Sequence, residues 1–335
     1  MRRDCISWLC CPACAGNLEL ADADAGNDPV TAGSLACLGC GITYPIVRSI
    51  PRFVPSDNYA TGFGLQWNRH SLTQLDSHTG LSLSAERFFE QSRWPAELSG
   101  ETIIEAGCGA GRFTGVAADT GARVLSLDYS EAVEANYASN GWRDNVLIVQ
   151  GDIYNMPFGQ ADRVFCFGVI QHTPDPQASF AAITRHVKAG GSMAADVYVK
   201  SFARYVLGTK YWVRPITRRM PPETLYRWTK RYVDAMWPIA RVVRRIPKVG
   251  RNINWRLLIA DSSHRLSDDA VLRDWAHLDT FDMLAPRYDY PQTLRTVRRW
   301  GAEAGLVDFE VERCAQGIAM RGRKPLAAAS ADSGI

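Results

Sequence analysis

Predominantly apolar runs recur through the middle of the chain, and each of them predicts a buried strand. They lie at residues 103–106, 124–127, 146–149, 164–169 and 192–199. Segments with helical character fall between them, beginning with residues 112–119. Strands that alternate with helices favour a parallel sheet covered on both faces. The pattern therefore predicts an α/β fold with a doubly wound, mostly parallel sheet.

The last part of the chain is predicted to complete this sheet. Residues 292–304 form a predicted helix that ends at Gly305, and residues 307–313 and 318–320 form a predicted antiparallel pair, giving seven strands. The predicted domains are residues 1–55, a small cysteine-rich module; 56–100, a helical connector; 101–199 with 291–325, the core; and 200–290, a basic helical insertion.

A glycine-rich turn follows the first predicted strand of the core. Its candidate ligand-binding residues are Glu105, Gly107, Cys108, Gly109 and Gly111. Glycine tolerates positive φ and, without a Cβ, lets a ligand lie against the backbone. The dinucleotide pattern G-x-G-x-x-G would place its third glycine at Arg112, one residue later than here. An ordinary glycine turn in another α/β fold remains the alternative.

The order E-x-G-x-G-x-G resembles motif I of the class I S-adenosylmethionine (SAM) methyltransferases. Asp128, at the end of the second strand, is placed to accept the ribose hydroxyls, with a helix-capping role as the alternative. Residues 168–176 resemble the G-V-L-H-H-x-x-D-P run of ubiquinone-type methyltransferases, with Gln171 in place of the first histidine. Residues 188–191 resemble the K-P-G-G run, with Ala189 in place of proline.

This resemblance implies a Rossmann-like methyltransferase fold, SAM as cofactor and a set of contacts to it. Asp152 and Ile153 match the positions that contact adenine in the family. A run at residues 63–67 is similar to one that covers the cofactor in relatives, although two aromatics four apart could equally pack on the core. The cofactor contacts implied are Gln66, Trp67, Glu105, Gly107, Cys108, Gly109, Gly111, Asp128, Tyr129, Asp152, Ile153 and Gly168.

Methyl transfer needs few catalytic groups, because the sulfonium of SAM is already an activated leaving group. Holding the acceptor in a near-attack geometry supplies most of the acceleration, and a base is needed only where the acceptor keeps its proton. We hypothesise that His172, with Tyr198, contacts or deprotonates the acceptor, since a neutral imidazole suits work near pH 7.

Two C-x-x-C pairs near the start of the chain predict a structural zinc site. They comprise Cys11, Cys14, Cys37 and Cys40, with 22 residues between the pairs. Four thiolates bind zinc in a closed tetrahedron. Cys10 is an alternative first ligand, and free thiols are the alternative to metal. With the Tyr-Pro and Ile-Pro turns at residues 44–51, this module resembles the Trm112-like zinc ribbons, although Ser49 replaces their usual glycine.

The insertion is strongly basic and rich in tryptophan. Residues 200–256 hold fifteen Lys and Arg but only two acids, and Trp212, Trp228, Trp237 and Trp255 lie among them. This composition suits an anionic bilayer surface with a lipid-linked substrate, or RNA, or simply a solvated helical cap. Residues 279–291 are similar to a stretch of other ribbon-bearing methyltransferases, which makes Asp282, Tyr288 and Asp289 candidate substrate contacts; a Pro- and Asp-rich turn is the alternative.

The sequence thus predicts a SAM-dependent methyltransferase for a small-molecule, glycan or lipid-linked acceptor. An RNA base methyltransferase and a non-catalytic SAM-binding regulatory subunit are the alternatives. The chain has 335 residues, of which 46% are hydrophobic, without a long apolar run or a signal-peptide pattern, and it contains nine cysteines. We therefore expect a cytoplasmic protein, with membrane association through residues 200–256 as an option and its oligomeric state open.

Overall fold

Two sheets organise the computed structural model, which describes residues 1–22, 28–201 and 208–326. The smaller sheet is antiparallel throughout and belongs to the cysteine-rich module. Its strands, in spatial as in chain order, are β1 (Leu18–Ala21), β2 (Ala32–Cys37), β3 (Thr43–Val47) and β4 (Ile50–Pro51).

The larger sheet has seven strands in the order β10-β11-β9-β8-β5-β6-β7. The five strands from β9 to β7 are parallel, and β11 and β10 add an antiparallel edge. Its strands are β5 (Thr102–Ala106), β6 (Arg123–Asp128), β7 (Val146–Gln150), β8 (Ala161–Cys166), β9 (Val187–Val197), β10 (Val307–Arg313) and β11 (Ile318–Arg323). The predicted seven-stranded, mostly parallel sheet is confirmed.

Helices connect these strands and build the insertion. Short 3-10 segments lie at Arg3–Trp8 and Ile170–His172. The helices are α1 (Thr61–Arg69), α2 (Asp76–Thr79), α3 (Leu83–Ser92), α4 (Arg112–Asp119), α5 (Val133–Asn140), α6 (Pro176–Arg185), α7 (Thr209–Thr217), α8 (Pro222–Val243), α9 (Gly250–Arg256), α10 (Asp269–Leu284) and α11 (Leu294–Glu303). The first helix of the core, α4, has the predicted bounds.

The large sheet is buried on both faces. Neighbouring residues of β5 point to opposite sides, so Ile103 packs in one apolar cluster with Phe88 and Phe113, whereas Ile104 packs in another with Phe180. Both isoleucines are fully buried. Alternation of side chains along a strand is what permits two separate cores, one on each side of a single sheet.

Two predicted strands have other bounds in the structure. The fourth strand of the core, β8, ends at Cys166 rather than at residue 169, because Gly168 takes a positive φ of 78° and turns the chain. The next strand, β9, begins at Val187, five residues earlier than predicted, and takes in residues that were expected to end a helix. The Pro- and Asp-rich turn given as an alternative for residues 279–291 does not hold for Asp279 and Asp282, which lie within helix α10.

The cysteine-rich module packs directly on the core. The backbone N–H of Cys10 donates to the carbonyl of Pro157 at 3.0 Å, and the N–H of Phe53 donates to the carbonyl of Gln150 at 2.8 Å. The buried Arg52 guanidinium donates to the Gln150 side chain at 3.0 Å and pairs with Glu134 of α5. The apolar interior of the module is continuous with one face of the large sheet.

The insertion leaves and rejoins the core at adjacent points. The N–H of Lys200 donates to the carbonyl of Gln292 at 2.7 Å, and the N–H of Gln292 donates to the carbonyl of Tyr198 at 2.8 Å. Between these points α8 and α10 pack on each other around Val233 and Trp275. None of the helices in the described ranges combines the length and apolar character that crossing a bilayer requires.

Candidate functional site

A cavity opens at the edge of the large sheet where the parallel strands end. The loops after β5, β6, β7 and β8 form one wall, and residues of α1, α3 and α10 close it from the other side. This carboxyl edge is where doubly wound folds bind their ligands. The predicted site residues in its lining are Gln66, Trp67, Gly107, Cys108, Gly109, Asp128, Tyr129, Ile153, Gly168, His172, Tyr198 and Asp282.

Close packing explains the first glycine of the loop. Gly107 has a φ of +86°, and a Cβ built on it would lie 2.3 Å from Cγ2 of Val169, which follows β8. Gly109 also takes a positive φ and faces the indole of Trp67, with its virtual Cβ 3.2 Å from Nε1. The loop therefore presents bare backbone between an aliphatic side chain and an indole.

The carboxylate of Asp128 holds the loop and faces the cavity. Its Oδ2 accepts from the backbone N–H of Gly109 at 2.9 Å. Its Oδ1 accepts from the N–H of Ser130 at 2.8 Å and from the Ser130 hydroxyl at 2.7 Å. Burial raises the pKa of Asp128, and these three donors oppose the rise. A carboxylate fixed in this way keeps one lone-pair site, on Oδ2, for a donor of a ligand.

Glu105 lies beneath the loop and outside the cavity lining. Its Oε2 accepts from the hydroxyls of Thr114 and Ser126, and its Oε1 has no partner among the described residues. Burial raises the pKa of Glu105 to about 7, against the effect of the two hydroxyls. The carboxylate therefore belongs to a buried polar network between the sheet and α4, and its predicted contact with the cofactor stays a prediction.

Aromatic rings line another part of the cavity, and a second acid lies beside it. The rings of Tyr59 and Tyr129 stack with centroids 4.9 Å apart. Ile153 is buried next to them in the lining. Asp152 accepts from the backbone N–H of Tyr154 at 2.9 Å and lies just outside the lining. Burial and then the charge of Asp152 raise the pKa of Tyr129. A flat, mostly apolar slot with one acceptor at its rim suits an aromatic base.

Helix α1 places Gln66 and Trp67 over the glycine loop. The Gln66 amide is 1% exposed, and its Nε2 donates to Oδ1 of Asp282 at 3.2 Å. Its Oε1 has no partner in the described part of the chain, although the side chain lines the cavity. Because buried amide oxygens are almost always bonded, this atom is suited to accept from a ligand. The predicted cover therefore lies where it can contact a bound molecule.

His172 and Tyr198 meet in the cavity lining, beyond the ends of β8 and β9. The His172 Nδ1 lies 3.0 Å from the backbone carbonyl of Tyr288, which can only accept, so Nδ1 carries the proton. Burial lowers the pKa of His172 despite the charges of Asp282 and Asp289. The imidazole is thus neutral near pH 7, with Nε2 as its acceptor atom. The Tyr198 ring contacts it edge-on at 5.4 Å.

Three charged residues of the cavity lining were not identified from the sequence as site residues: Arg87, Arg112 and Asp279. Arg87 donates to Asp196 at 2.5 Å, and Arg112 donates to Ser84 at 3.2 Å. Burial lowers the pKa of Arg112 to about 9, and burial raises the pKa of Asp279 to about 7. A signal existed for Asp279 alone, since it lies three residues before Asp282 and therefore shares its helical face.

Other predicted contacts lie outside the lining. Gly111 sits behind the loop, where a Cβ would approach Oδ1 of Asn136 to 2.1 Å. Tyr288 offers its carbonyl to His172, and its ring meets Tyr59 at 5.3 Å. Asp289 is buried and pairs with Lys210 of α7 at 3.0 Å, so it ties the insertion together. The roles predicted for these residues in binding stay predictions.

The four predicted cysteines form one cluster. The sulfurs of Cys11, Cys14, Cys37 and Cys40 all lie within 4.8 Å of one another. Cys11 and Cys40 are 3.7 Å apart, and Cys14 and Cys37 are 3.4 Å apart. Thiolates about 2.3 Å from a tetrahedral zinc lie about 3.8 Å from each other, so the donor set fits that ion. Cys10 is outside the cluster and instead bonds the core through its backbone.

Two family models match the chain, and both agree with this geometry. Residues 104–195 match the model described as a methyltransferase domain, and residues 6–49 match the model described as Trm112p-like protein. The chain therefore carries a methyltransferase domain preceded by a Trm112p-like domain.

Curated relatives and solved structures share parts of the chain. The ubiquinone biosynthesis O-methyltransferase of Methylococcus capsulatus is 29% identical over 149 residues, covering 40% of this chain and 62% of the relative. The ubiquinone biosynthesis O-methyltransferase of Thiobacillus denitrificans is 31% identical over 131 residues, covering 37% of this chain and 56% of that relative. The chain thus spans about three fifths of the length of these relatives. A Haloferax volcanii complex that contains the Trm112 methyltransferase activator has a TM-score of 0.46 at 15% identity, covering 80% of this chain and 99% of that one.

We predict that Gly107→Ala destabilises the protein by about 2–4 kcal/mol, because strain at positive φ adds to the collision with Val169. Gly100 is the matched control: its φ of +85° is nearly the same, but a Cβ there would meet nothing within 4 Å. Gly100→Ala should cost only about 1 kcal/mol. Urea denaturation followed by circular dichroism measures both, and equal losses would show that the contact with Val169 has no energetic weight.

Proposed function

We propose that this chain is a SAM-dependent methyltransferase acting on a hydroxyl of a small-molecule acceptor. The observation that carries the proposal is the Asp128 carboxylate, locked to the glycine loop by Gly109 and aimed into a cavity bordered by stacked aromatic rings. The matched methyltransferase domain, residues 104–195, includes the glycine loop, Asp128 and Asp152. The relatives named O-methyltransferases support the choice of a hydroxyl as the methyl acceptor.

The lining fits the parts of SAM one by one. Asp128 would accept from a ribose hydroxyl through the free site on Oδ2, while Ile153 and Tyr129 would border the adenine, with Asp152 accepting at its rim. The bare backbone at Gly107 and Gly109 leaves space that a Cβ would fill. When bound, SAM supplies a methyl group on a sulfonium, which is an activated leaving group. The chain's own task is then to hold an acceptor in line and to exclude water.

His172 is suited to remove the acceptor's proton. Its Nδ1–H donates to the Tyr288 carbonyl, which fixes the tautomer and leaves Nε2 as a base. The rings of Phe63 and Tyr198 hold the imidazole at centroid distances of 5.4 Å each. Burial raises the pKa of Tyr198, so the phenol stays protonated and serves as a hydrogen-bond donor to the acceptor. Asp282, bonded to Gln66, faces the same space and would contact the acceptor.

The cysteine cluster is proposed as a structural zinc site. A closed set of four thiolates leaves no open position for catalysis. The site would fix the fold of the cysteine-rich module. Strands β3 and β4 of this module lead to Arg52, which pairs with Glu134 of α5 at the junction with the core. Loss of the metal would therefore loosen the junction between the module and the core.

We predict that Asp128→Ala weakens binding of S-adenosylhomocysteine, the demethylated product, by about 10–100-fold, the cost of losing hydrogen bonds to a charged group. Asp162→Ala is the matched control, because that carboxylate also accepts from a backbone N–H, that of Thr102 at 2.8 Å, but at the opposite edge of the sheet. Calorimetric titration measures both. Absence of binding to the unaltered protein would refute the proposed function.

We predict that His172→Ala lowers kcat by about 100–10,000-fold while affinity for S-adenosylhomocysteine stays unchanged. His186→Ala is the control, since burial also lowers the pKa of His186 and its Nδ1 lies 3.2 Å from the Gly159 carbonyl, outside the cavity lining. Transfer of label from methyl-labelled SAM into fractions of a cell extract provides the assay. An unchanged rate would remove His172 from the chemistry.

The same base predicts the pH profile of the reaction. The pKa of His172 lies below its usual value of 6.5. Its neutral, proton-accepting form therefore predominates at pH 7, so kcat should be level above that pH. The rate should fall on acidification as pH passes down through the lowered pKa, and a maximum at acidic pH would contradict the assignment.

We predict that the purified protein contains roughly one zinc per chain, bound by the four cysteines. Cys37→Ser should lose the metal and lower the urea midpoint, whereas Cys10→Ser, next to the cluster but not part of it, should keep both. Elemental analysis by plasma mass spectrometry gives the metal content. Full zinc content in Cys37→Ser would contradict this ligand set.

A further inference from the structure

Helix α8 carries two apolar faces, of which one is buried. Leu225, Val233 and Trp237 point inward, against α10 and the segment that follows α9. A second series repeats at alternating steps of four and three residues along the opposite side. Its members, called here the outer stripe, are Trp228, Tyr232, Ala235, Ile239, Val242 and Ile246. Such spacing keeps one row of side chains on one face of a helix.

Most of the outer stripe is exposed, whereas Tyr232 is partly buried and its hydroxyl donates to the carbonyl of Leu257 at 2.5 Å. Ile239 is 50% exposed and Val242 is 63% exposed, and Trp228 and Ile246 are similarly open. The rings of Trp228 and Tyr232 stack in parallel with centroids 5.5 Å apart, which forms a flat aromatic end to the stripe. From Trp228 to Val242 the helical part of the stripe is about 21 Å long at 1.5 Å per residue, and Ile246 follows just after the end of α8. A continuous exposed row of this length is typical of a binding surface.

Basic side chains border the stripe on one side. Arg227, Arg231, Arg245 and Lys248 are exposed and pair with no acid in the described ranges. The two acids of α8 are already engaged: Glu223 pairs with Arg69 at 2.8 Å, and Asp234 pairs with Arg273 at 2.7 Å. Arg241 pairs with Asp269 at 3.4 Å. The uncovered face therefore combines apolar side chains with unneutralised positive charge.

We propose that the outer stripe and its basic border dock this protein on an anionic lipid bilayer. An amphipathic helix of this kind lies in the plane of the interface, with aliphatic side chains among the acyl chains, tryptophan at the headgroup level and Arg or Lys against anionic lipid. Charge complementarity decides this choice of partner. A second copy of the chain would bring two positively charged borders together, and aliphatic residues such as Ile239 and Val242 offer no plane on which RNA bases could stack.

Docking through α8 would bring the lipid surface close to the cavity. Helix α8 packs on α10, and α10 carries Asp279 and Asp282 into the cavity lining. The hydroxyl of Tyr226 on α8 lies 2.9 Å from Nε2 of His70. His70 directly follows α1, the helix that carries Gln66 and Trp67. One layer of helices thus separates the stripe from the cavity. Docking itself needs no methyl acceptor, so it is tested independently of the proposed function.

The experiment is vesicle co-sedimentation of the complete chain. Vesicles of phosphatidylcholine alone are compared with vesicles in which phosphatidylglycerol replaces a third of the lipid. We expect binding to the anionic vesicles only, and a decrease as salt rises. Replacing Arg227, Arg231 and Arg245 by Gln should weaken it roughly 100-fold, at about fivefold for each charge. Ile239→Ser with Val242→Ser should weaken it at least tenfold, since apolar burial adds to the electrostatic attraction.

Trp142→Ala is the matched control, because Trp142 is 72% exposed but lies on the core between α5 and β7. It should bind as the unaltered protein does. Circular dichroism and S-adenosylhomocysteine titration confirm that each variant is folded. The proposal is overturned if the unaltered protein leaves anionic vesicles in the supernatant, or if the serine variant binds as well as the parent. It is also overturned if light scattering shows a dimer that the serine variant converts to monomer, or if single-stranded RNA is bound and anionic vesicles are not.

Discussion

The conformation of the glycine loop depends on the carboxylate of Asp128. It accepts from Gly109 on one loop and twice from Ser130 on the next, so a single side chain sets the separation of the loops after β5 and β6. Because both loops leave parallel strands at the same edge, this separation defines the width of the cavity. Three donors of the chain itself fix the carboxylate, and preorganisation of this kind lowers the cost of binding.

A second, deeper polar network supports the same loop. Glu105, Thr114 and Ser126 share hydrogen bonds beneath it, and Asn136 of α5 donates to both hydroxyls. Asn140 then donates to the carbonyl of Gly111 at 3.1 Å. Burying these groups is costly unless they are mutually satisfied, so the network specifies one arrangement of α4, α5 and the sheet. Burial raises the pKa of Glu105 to about 7, so its ionised form remains a cost at higher pH.

The features that sequence predicted best are local ones. Strands β5 to β7, helix α4 and the glycine turn each follow from spacing within a few residues, and the four-cysteine cluster follows from two C-x-x-C pairs. Arg87 and Arg112 escaped because their surroundings come from segments distant in sequence, which no local pattern reports. Glu105 lies inside β5 and accepts from Thr114 and Ser126, contacts that no local pattern reports, and its predicted contact with the cofactor stays a prediction.

The predicted end of β8 was wrong because a local pattern of apolar residues does not show where the chain turns. Residues 164–169 are uniformly apolar, so hydrophobicity alone could not reveal the turn that Gly168 makes after Cys166. The acids of α10 looked like turn formers, but Phe281 and Leu284 bury the helix against α8. Tertiary packing overrides such local preferences.

The paired hydrogen bonds between Tyr198, Lys200 and Gln292 give the insertion a narrow neck. Its first and last residues sit side by side, so the intervening polypeptide can be lengthened, shortened or exchanged without shifting the register of β9 or β11. Closing a loop costs free energy that grows only slowly with its length. The two ends of the insertion are therefore sites at which evolution or an engineer could replace the whole insertion. Such a replacement could change the acceptor preference while the large sheet stays as it is.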